Sequence, residues 1–358
     1  MPSMGKATDR VPIDLVLAAT PAPRDAWEEV LRADPLALET QSPTWTDAMC
    51  AWSRCEDASR LYVGPDGRRL VLPMLRRWLP GRAVAVEASQ PPRCGVGGVL
   101  APGGASPAEI AAILAGLPDG RVLRCSFSPN PILASEWAAA VPPGAVAVPK
   151  RGHMLDLEGG FENVWSKLFT PKTRTRIRKA ERKGVAAECD TSGRLVPVFY
   201  EMMTGAVGRW ARRQHEPLWL ARRRLRYRAP FEKFEAIARV MGDRCRLWVA
   251  RVDGRPVAAS LVIQGANAYG LWAAMDEEAK DSGATGLLVH YAIEDACTAG
   301  CRYFYMGESG WSDTHAVFKE RFGGRPVPYA DYHLERLPIT SAENAFKRLV
   351  KQAIRFKD

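Results

Sequence analysis

The chain has 358 residues, 47% of them hydrophobic and 25% charged, which is too apolar for a disordered polymer and long enough for two domains. It carries 50 Lys+Arg against 40 Asp+Glu, a formal charge of +10. The excess is local. Between Phe161 and Pro230 lie 17 basic and 6 acidic residues, so a uniformly basic coat is excluded and a site that meets an anion is expected.

No run approaches the roughly 18 consecutive apolar residues of a spanning helix. Residues Met1–Asp14 contain Lys6 and Arg10 but no apolar core, so no signal peptide is expected. A cytoplasmic protein without a membrane partner follows as the expectation. The eight cysteines form no C-x-x-C pair; reduced thiols, no disulfide framework and no metal site are expected.

Taken in chain order, residues 1–20 are Pro/Ala-rich and read as flexible. Helical periodicity follows at Asp25–Ala33 and Ser42–Trp52. A hairpin comes next: Arg60–Val63, a turn at Pro65-Asp66-Gly67, and a return strand Arg69–Leu75. Strands are predicted at Ala83–Glu87 and Val122–Phe127. Between them Ser106-x-x-Glu109 caps a helix over Pro107–Leu117. The second half repeats this order. Strand Arg246–Val252, turn Asp253-Gly254 and strand Pro256–Gln264 form a second hairpin. Strand Asn267–Met275, a helix Gly283–Ala299 closed by Gly300, and strand Tyr303–Met306 follow. The two hairpins share Arg-Leu-aromatic-Val and Asp-Gly-Arg, which implies two copies of one α/β domain. Expected boundaries are 21–155 and 156–340, with a C-terminal helix over 341–358.

The basic segment divides into two clusters, Lys167–Lys183 and Arg209–Arg228. In the first, Thr170 caps a helix over Pro171–Lys183 that contains Lys172, Arg174, Arg176, Arg178, Lys179, Arg182 and Lys183. Only Ile177 and Ala180 remain to bury, so most of its surface is wet or covered by a partner. A second helix, Leu195–Arg213, ends in a loop. Arg212, Arg213, Arg222 and Arg223 fall in this region, with Trp219 and Tyr227 interleaved. Arg binds phosphate bidentately and aromatic planes stack on bases, so a polyanion such as tRNA fits this surface.

Trp165-Ser-Lys-Leu and Lys172-Thr-Arg-Thr-Arg-Ile-Arg-Lys-Ala-Glu-Arg-Lys-Gly-Val185 resemble the opening of the second domain of FemABX-type aminoacyltransferases. They also resemble related acyltransferases of the GNAT superfamily. Ala296-x-x-x-Gly300-x-x-x-Phe304-x-x-Gly307 and Phe318-Lys-Glu-Arg-Phe-Gly323 extend the match over residues 160–335. The resemblance implies an α/β (α+β) fold of two tandem GNAT-like domains, each a mixed, mostly antiparallel sheet flanked by helices. It implies acyl transfer to an amine of a small metabolite or peptide precursor, with aminoacyl-tRNA or acyl-coenzyme A as co-substrate and no bound cofactor. A GNAT enzyme using coenzyme A carries a [QR]-x-x-G-x-[GA] loop whose amides cradle the pyrophosphate. Here the corresponding stretch is Lys280-Asp-Ser-Gly283-Ala-Thr-Gly286, a degenerate version. Arg93-Cys-Gly-Val-Gly-Gly98 is glycine-rich but wrongly spaced for the same role.

Aminolysis needs a proton acceptor for the amine, donors for the oxyanion and a proton for the leaving group. Lys319 matches the family's lysine and is the candidate for oxyanion or donor-phosphate contact. Glu308, after Gly307 at the end of a strand, is the candidate proton acceptor, with Asp276 a weaker one. Ser309 neighbours Glu308 and is a candidate substrate contact. Tyr269 and Trp272, three residues apart on one strand, are expected on opposite faces, one of them lining the cleft. His215, His290 and His315 lack ligand spacing and read as structural. The remaining alternatives are an acyl-coenzyme A-dependent N-acyltransferase and, in another class, a non-catalytic nucleic-acid-binding protein. Sequence leaves the oligomeric state open.

Overall fold

The computed structural model describes residues 13–117, 120–310 and 312–354. Its first half runs β1 (Val16–Ala19), α1 (Arg24–Ala33), α2 (Pro43–Trp52), β2 (Glu56–Asp57), β3 (Arg60–Val63), β4 (Arg69–Leu72), β5 (Leu75–Trp78), β6 (Ala85–Ala88), α3 (Pro107–Ala115), β7 (Val122–Phe127) and α4 (Ala134–Ala140). β8 (Val146–Asp156) leads to α5 (Gly160–Asn163), α6 (Pro171–Arg182), β9 (Ala186–Asp190), α7 (Val196–Arg213), α8 (Leu218–Arg228) and α9 (Phe231–Met241). The remainder is β10 (Cys245–Val252), β11 (Arg255–Gln264), β12 (Ala268–Met275), α10 (Ala284–Thr298), β13 (Tyr303–Glu308), α11 (Asp313–Glu320), β14 (Arg325–Glu335) and α12 (Ile339–Ala353).

The local signals act as their chemistry dictates. Ser106 and Glu109 form the reciprocal capping box of α3, with Pro107 at the first helical position. The Thr170 hydroxyl accepts the Thr173 amide at the start of α6, and Gly184, at φ +72°, ends it. Two expectations need correction. The strand predicted as Arg69–Leu75 breaks at Pro73, which has no amide to donate, so β4 and β5 serve different sheets. Part of the segment read as flexible is a strand: β1 pairs Val16 with Val63 of β3. The rest of that reading, residues 1–12, lies outside the described residues.

An eleven-stranded sheet, in the order β2-β5-β6-β7-β14-β8-β13-β12-β11-β10-β9, forms the body, and β1-β3-β4 forms a small second sheet. The order is nearly palindromic. Within each half a parallel strand pair is joined by one helix: β6–α3–β7 in the first, β12–α10–β13 in the second. The strands that follow are exchanged. β8, which follows β7 in the chain, pairs with β13, while β14, which follows β13, pairs with β7. The exchanged strands pair with each other from Arg325↔Met154 to His333↔Val146. The small sheet completes the correspondence, because β1-β3-β4 repeats the antiparallel neighbours β9-β10-β11. Two GNAT-like halves are thus related by a pseudo-twofold axis between β8 and β14.

Each face of the second half's sheet is covered. On one, α6 and α10 contribute Ile177, Ala180, Leu287, Leu288 and Ile293 to a core with Phe169 and Phe304. On the other, α7 and α9 contribute Phe199, Phe234 and Ile237, meeting Trp45 and Met49 of α2. The first half's core gathers Ile110, Ile113, Phe127 and Trp137. The loop expected after Arg213 is largely helix, α8.

Candidate active site

β12 and β13 pair in parallel only at Ala268↔Phe304 and Tyr269↔Tyr305. Beyond that they part, with β12 running on to Met275 and β13 to Glu308. The matching gap of the first half is filled. The Ser89 amide donates to the Ser126 carbonyl, the Ser89 hydroxyl accepts the Ser128 amide, and Gly97 bridges to Pro129. A Cβ on Gly97 would lie 2.7 Å from Ser89, and one on Gly95 2.8 Å from Thr40. The glycine-rich loop Arg93–Gly98 is therefore small because it packs into this gap.

Glu308 stands at the open gap with its side chain 43% exposed. Its Oε1 accepts from Lys150 Nζ at 2.7 Å and from the Tyr329 hydroxyl at 3.0 Å. Lys150 also pairs with Asp331 at 2.8 Å. Burial pulls the Lys150 ammonium pKa down, but Asp331 and Glu308 together raise it above the ordinary lysine value. Burial raises the Asp331 carboxyl, against the opposing pull of Lys150. Behind Tyr329, its hydroxyl meets that of Tyr305 at 3.2 Å, and Tyr305 packs on Tyr269 with ring centroids 4.6 Å apart. Burial drives both the Tyr305 and Tyr329 phenols well above the usual range, so they stay protonated and serve as donors. Sequence reasoning missed Lys150, Tyr329 and Asp331. They sit on the exchanged strands β8 and β14, where no local motif marks them.

Lys319 reaches the same place from α11. Its Nζ donates to the Gly307 and Glu308 carbonyls, both at 2.8 Å. Burial lowers its pKa to about 8, with Glu308 opposing the shift. Gly307 has φ +75°, and a Cβ there would lie 3.0 Å from the Gly270 carbonyl. A glycine is required where β13 turns against β12. An ammonium has three donors, so two anchored ones leave a third for an oxyanion or phosphate at the gap.

The structure does not bring every candidate here. The Asp276 carboxylate is held by Arg255 at 2.6 Å and by the Glu278 amide at 3.1 Å, which makes it a turn residue. Ser309 is strapped to β8: its amide donates to the Arg151 carbonyl at 3.0 Å and its hydroxyl accepts from Arg151 Nε. The expectation for Tyr269 and Trp272 fails. A bulge between the pairs Leu261↔Trp272 and Val262↔Gly270 inserts one residue, so both side chains turn to the same face. Neither is a cleft wall open to solvent. Tyr269 is buried beside Tyr305, and Trp272 meets Phe234 edge-on and lies 4.7 Å from the buried Lys233 ammonium.

α6 and the end of α7 are each fastened to elements that flank the gap. α6 is tied to α11 through the Thr170 amide and Thr173 hydroxyl, which donate to the Arg321 carbonyl. It also lies against the start of α10, where a Cβ on Gly283 would stand 3.0 Å from that of Ala180. Gly283, at φ +83°, is thus required by helix packing in any event. Lys172, Arg176, Arg178, Lys179, Arg182 and Lys183 are exposed, as is Lys280 ahead of α10. Arg174 is consumed: its guanidinium donates to the Trp165, Ser166 and Phe169 carbonyls. Arg178 stacks over the Trp165 ring at 5.5 Å.

On the other side, α7 is fastened to the end of β12. Arg209 donates to the Met275 carbonyl, and Arg213 pairs with Glu277 at 3.2 Å. Arg212 is exposed. α8 then presents Trp219, Arg222, Arg223, Arg226 and Tyr227 at i, i+3, i+4, i+7 and i+8, one helical face, all exposed. Trp219 is 65% and Tyr227 78% exposed, which is unusual for residues of this size. Gly286 lies in the first turn of α10, where amides have no intrahelical partner. Among the described residues no group of three or more His, Cys, Asp or Glu could hold a metal ion.

The fold is one of two GNAT-like halves in tandem. Residues 171–320 match the family model of the acetyltransferase (GNAT) domain. The fold is similar to that of FemX, with a TM-score of 0.65 at 10% identity, covering 90% of this chain and 97% of that one. A conserved protein of unknown function from Bacteroides thetaiotaomicron superposes with a TM-score of 0.52 at 10% identity, over 89% of this chain and 99% of its own. The C-terminal domain of a protein described as a lysylphosphatidylglycerol synthetase from Agrobacterium fabrum gives 0.50 at 15% identity, over 91% and 97%. No curated protein sequence matches the chain.

Proposed function

We propose that the protein forms an amide by transferring an aminoacyl group from aminoacyl-tRNA to an amine of a small metabolite or peptide precursor. The observation that carries this reading is that α6 and the end of α7, both with exposed basic residues, are fastened to the elements that flank the open gap, while α8 packs on α7 and adds a further exposed basic face. A small phosphate needs no such surface, whereas the backbone of a tRNA does. Glu308, at the gap, takes the proton of the attacking amine directly or through one water. The nitrogen bonds to the ester carbonyl carbon, and the Lys319 ammonium stabilises the oxyanion. The ester C–O bond then breaks, and the proton passes to the leaving ribose hydroxyl. Lys150 and Tyr329 hold Glu308 in place for this transfer.

The match of residues 171–320 to an acetyltransferase domain favours a second reading, in which an acyl-coenzyme A sets its phosphates on the α10 amides at Gly283–Gly286. The deciding experiment offers purified protein labelled aminoacyl-tRNA or labelled acetyl-coenzyme A with a panel of amines. Transfer from aminoacyl-tRNA that RNase abolishes supports the first reading. RNase-resistant transfer from acetyl-coenzyme A sinks it. RNA binding without transfer from either donor would favour a binding protein on a GNAT scaffold.

A further inference from the structure

The helix α12 leaves the body after β14 and is exposed along most of its length. Thr340 at its base is buried, and its amide donates to the Glu335 carboxylate at 3.1 Å. Arg124 holds Glu343 at 3.0 Å. From Ser341 through Leu349 every residue is exposed. Yet the helix is strongly two-faced. Ile339, Ala342, Phe346, Leu349, Val350 and Ala353 fall within one stripe at helical spacing. Phe346 is 68% and Leu349 65% exposed, and Leu337 just before the helix is also open. The polar side carries Lys347, Arg348 and Lys351. Glu343 is the only acidic residue of the helix, and Arg124 and Lys347 both pair with it.

Isolated helices of about 12–15 residues are marginal in water, because packing of the apolar face supplies most helical stability. Fifteen residues with an uncovered stripe therefore call for a surface. Two copies of α12 facing each other would not suffice. The stripe is about 22 Å long and roughly 10 Å wide, a few hundred Å² per copy. Stable interfaces bury about 800 Å² per partner. A large apolar stripe with a cationic flank instead matches the boundary between acyl chains and anionic headgroups.

We propose that α12 is an interfacial helix that docks the protein on an anionic lipid bilayer, with Phe346 and Leu349 in the acyl region and Lys347 and Arg348 at the headgroups. Sequence reading expected no membrane partner because no spanning segment exists. Among the described residues no helix is long and apolar enough to cross a membrane. Lying on a bilayer has no such length requirement.

The test is cosedimentation of the full chain with vesicles of phosphatidylcholine alone and of equal parts phosphatidylcholine and phosphatidylglycerol. Binding to the mixed vesicles, weakened by high salt, is expected. The double variant F346D/L349D should lose about tenfold or more of that binding. K347E/R348E should lose a similar amount, since an anionic surface attracts each of these cations. All four side chains are exposed, so both variants should melt as the parent does. Absence of cosedimentation, equal partition onto neutral vesicles, or full binding by F346D/L349D would each overturn the proposal. So would a dimer in sedimentation equilibrium that F346D/L349D dissociates while vesicles bind nothing.

Discussion

Lys150 grips the Glu308 carboxylate at 2.7 Å, and the two residues come from opposite halves of the chain. One lysine on the first half's last strand thus orients the proposed proton acceptor of the second. Its hold is shared with Asp331, so the pair of carboxylates and the cation form one unit. Replacing Glu308 by Gln should lower kcat by about 10²- to 10⁴-fold, the usual worth of general base catalysis. D276N should change kcat less than about twofold if it removes only a turn contact and the Arg255 pair. Steady-state kinetics on both variants tests the assignment; equal losses would refute it.

Lys319 offers a pH test. Its ammonium is lost near pH 8 in the folded protein, against 10.5 for an ordinary lysine. If the cation stabilises the oxyanion, kcat should fall as pH rises through about 8. K319R should move that basic limb upward, because a guanidinium stays charged throughout. The stability sign is opposite. Between about 8 and 10.5 the unfolded chain binds more protons at this site, so the wild type gains stability as pH rises. The stability of the wild type relative to K319M in thermal unfolding should therefore rise across that window.

The donor surface makes two separable predictions. R176E/K179E/K183E should abolish an aminoacyl-tRNA-dependent reaction and leave unfolding unchanged, since all three side chains are exposed. W219A/Y227A on α8 should weaken RNA binding by about 1–3 kcal/mol per stacked base while keeping the salt slope. Filter binding across a salt series distinguishes the two. An unchanged rate with the triple Glu variant would remove α6 from the donor site.

Glycines at the gap should respond according to geometry. G283A places a Cβ at 3.0 Å from Ala180 with φ +83°, and should destabilise by about 1–3 kcal/mol. G286A meets only Phe322, at 3.7 Å, and should be close to neutral in denaturant unfolding. A large cost for G286A would show that its neighbours pack more tightly than this distance allows.

Much of the architecture was legible because it is written locally. The capping box at Ser106 and Glu109, the Thr170 cap and the Asp253-Gly254 turn each set an element by short-range hydrogen bonding. What escaped is non-local. β8, α4 and β14 carry no alternation strong enough to announce them, and it is β8 and β14 that supply Lys150, Tyr329 and Asp331. The bulge in β12 defeated a parity argument for Tyr269 and Trp272, since one inserted residue reverses every face assignment beyond it. Lys319 could be picked out because the family resemblance marked it, and Glu308 because it follows Gly307 at the end of a strand; Asp276 was also offered on strand position, and the ion pair to Arg255 accounts for it.

The exchange of β8 and β14 has a consequence for how such a chain arose and how it can be divided. If either half were made alone, its terminal strand would have no cognate edge, and its own sheet would lack a neighbour beside β7 or β13. Two copies could satisfy each other by trading those strands, as a swapped homodimer does. The present molecule is equivalent to that dimer with its subunits fused. Fusion frees the halves to diverge. One gap could be filled with Ser89 and a glycine loop, while the other stayed open around Glu308 and borrowed its lysine from the closed half.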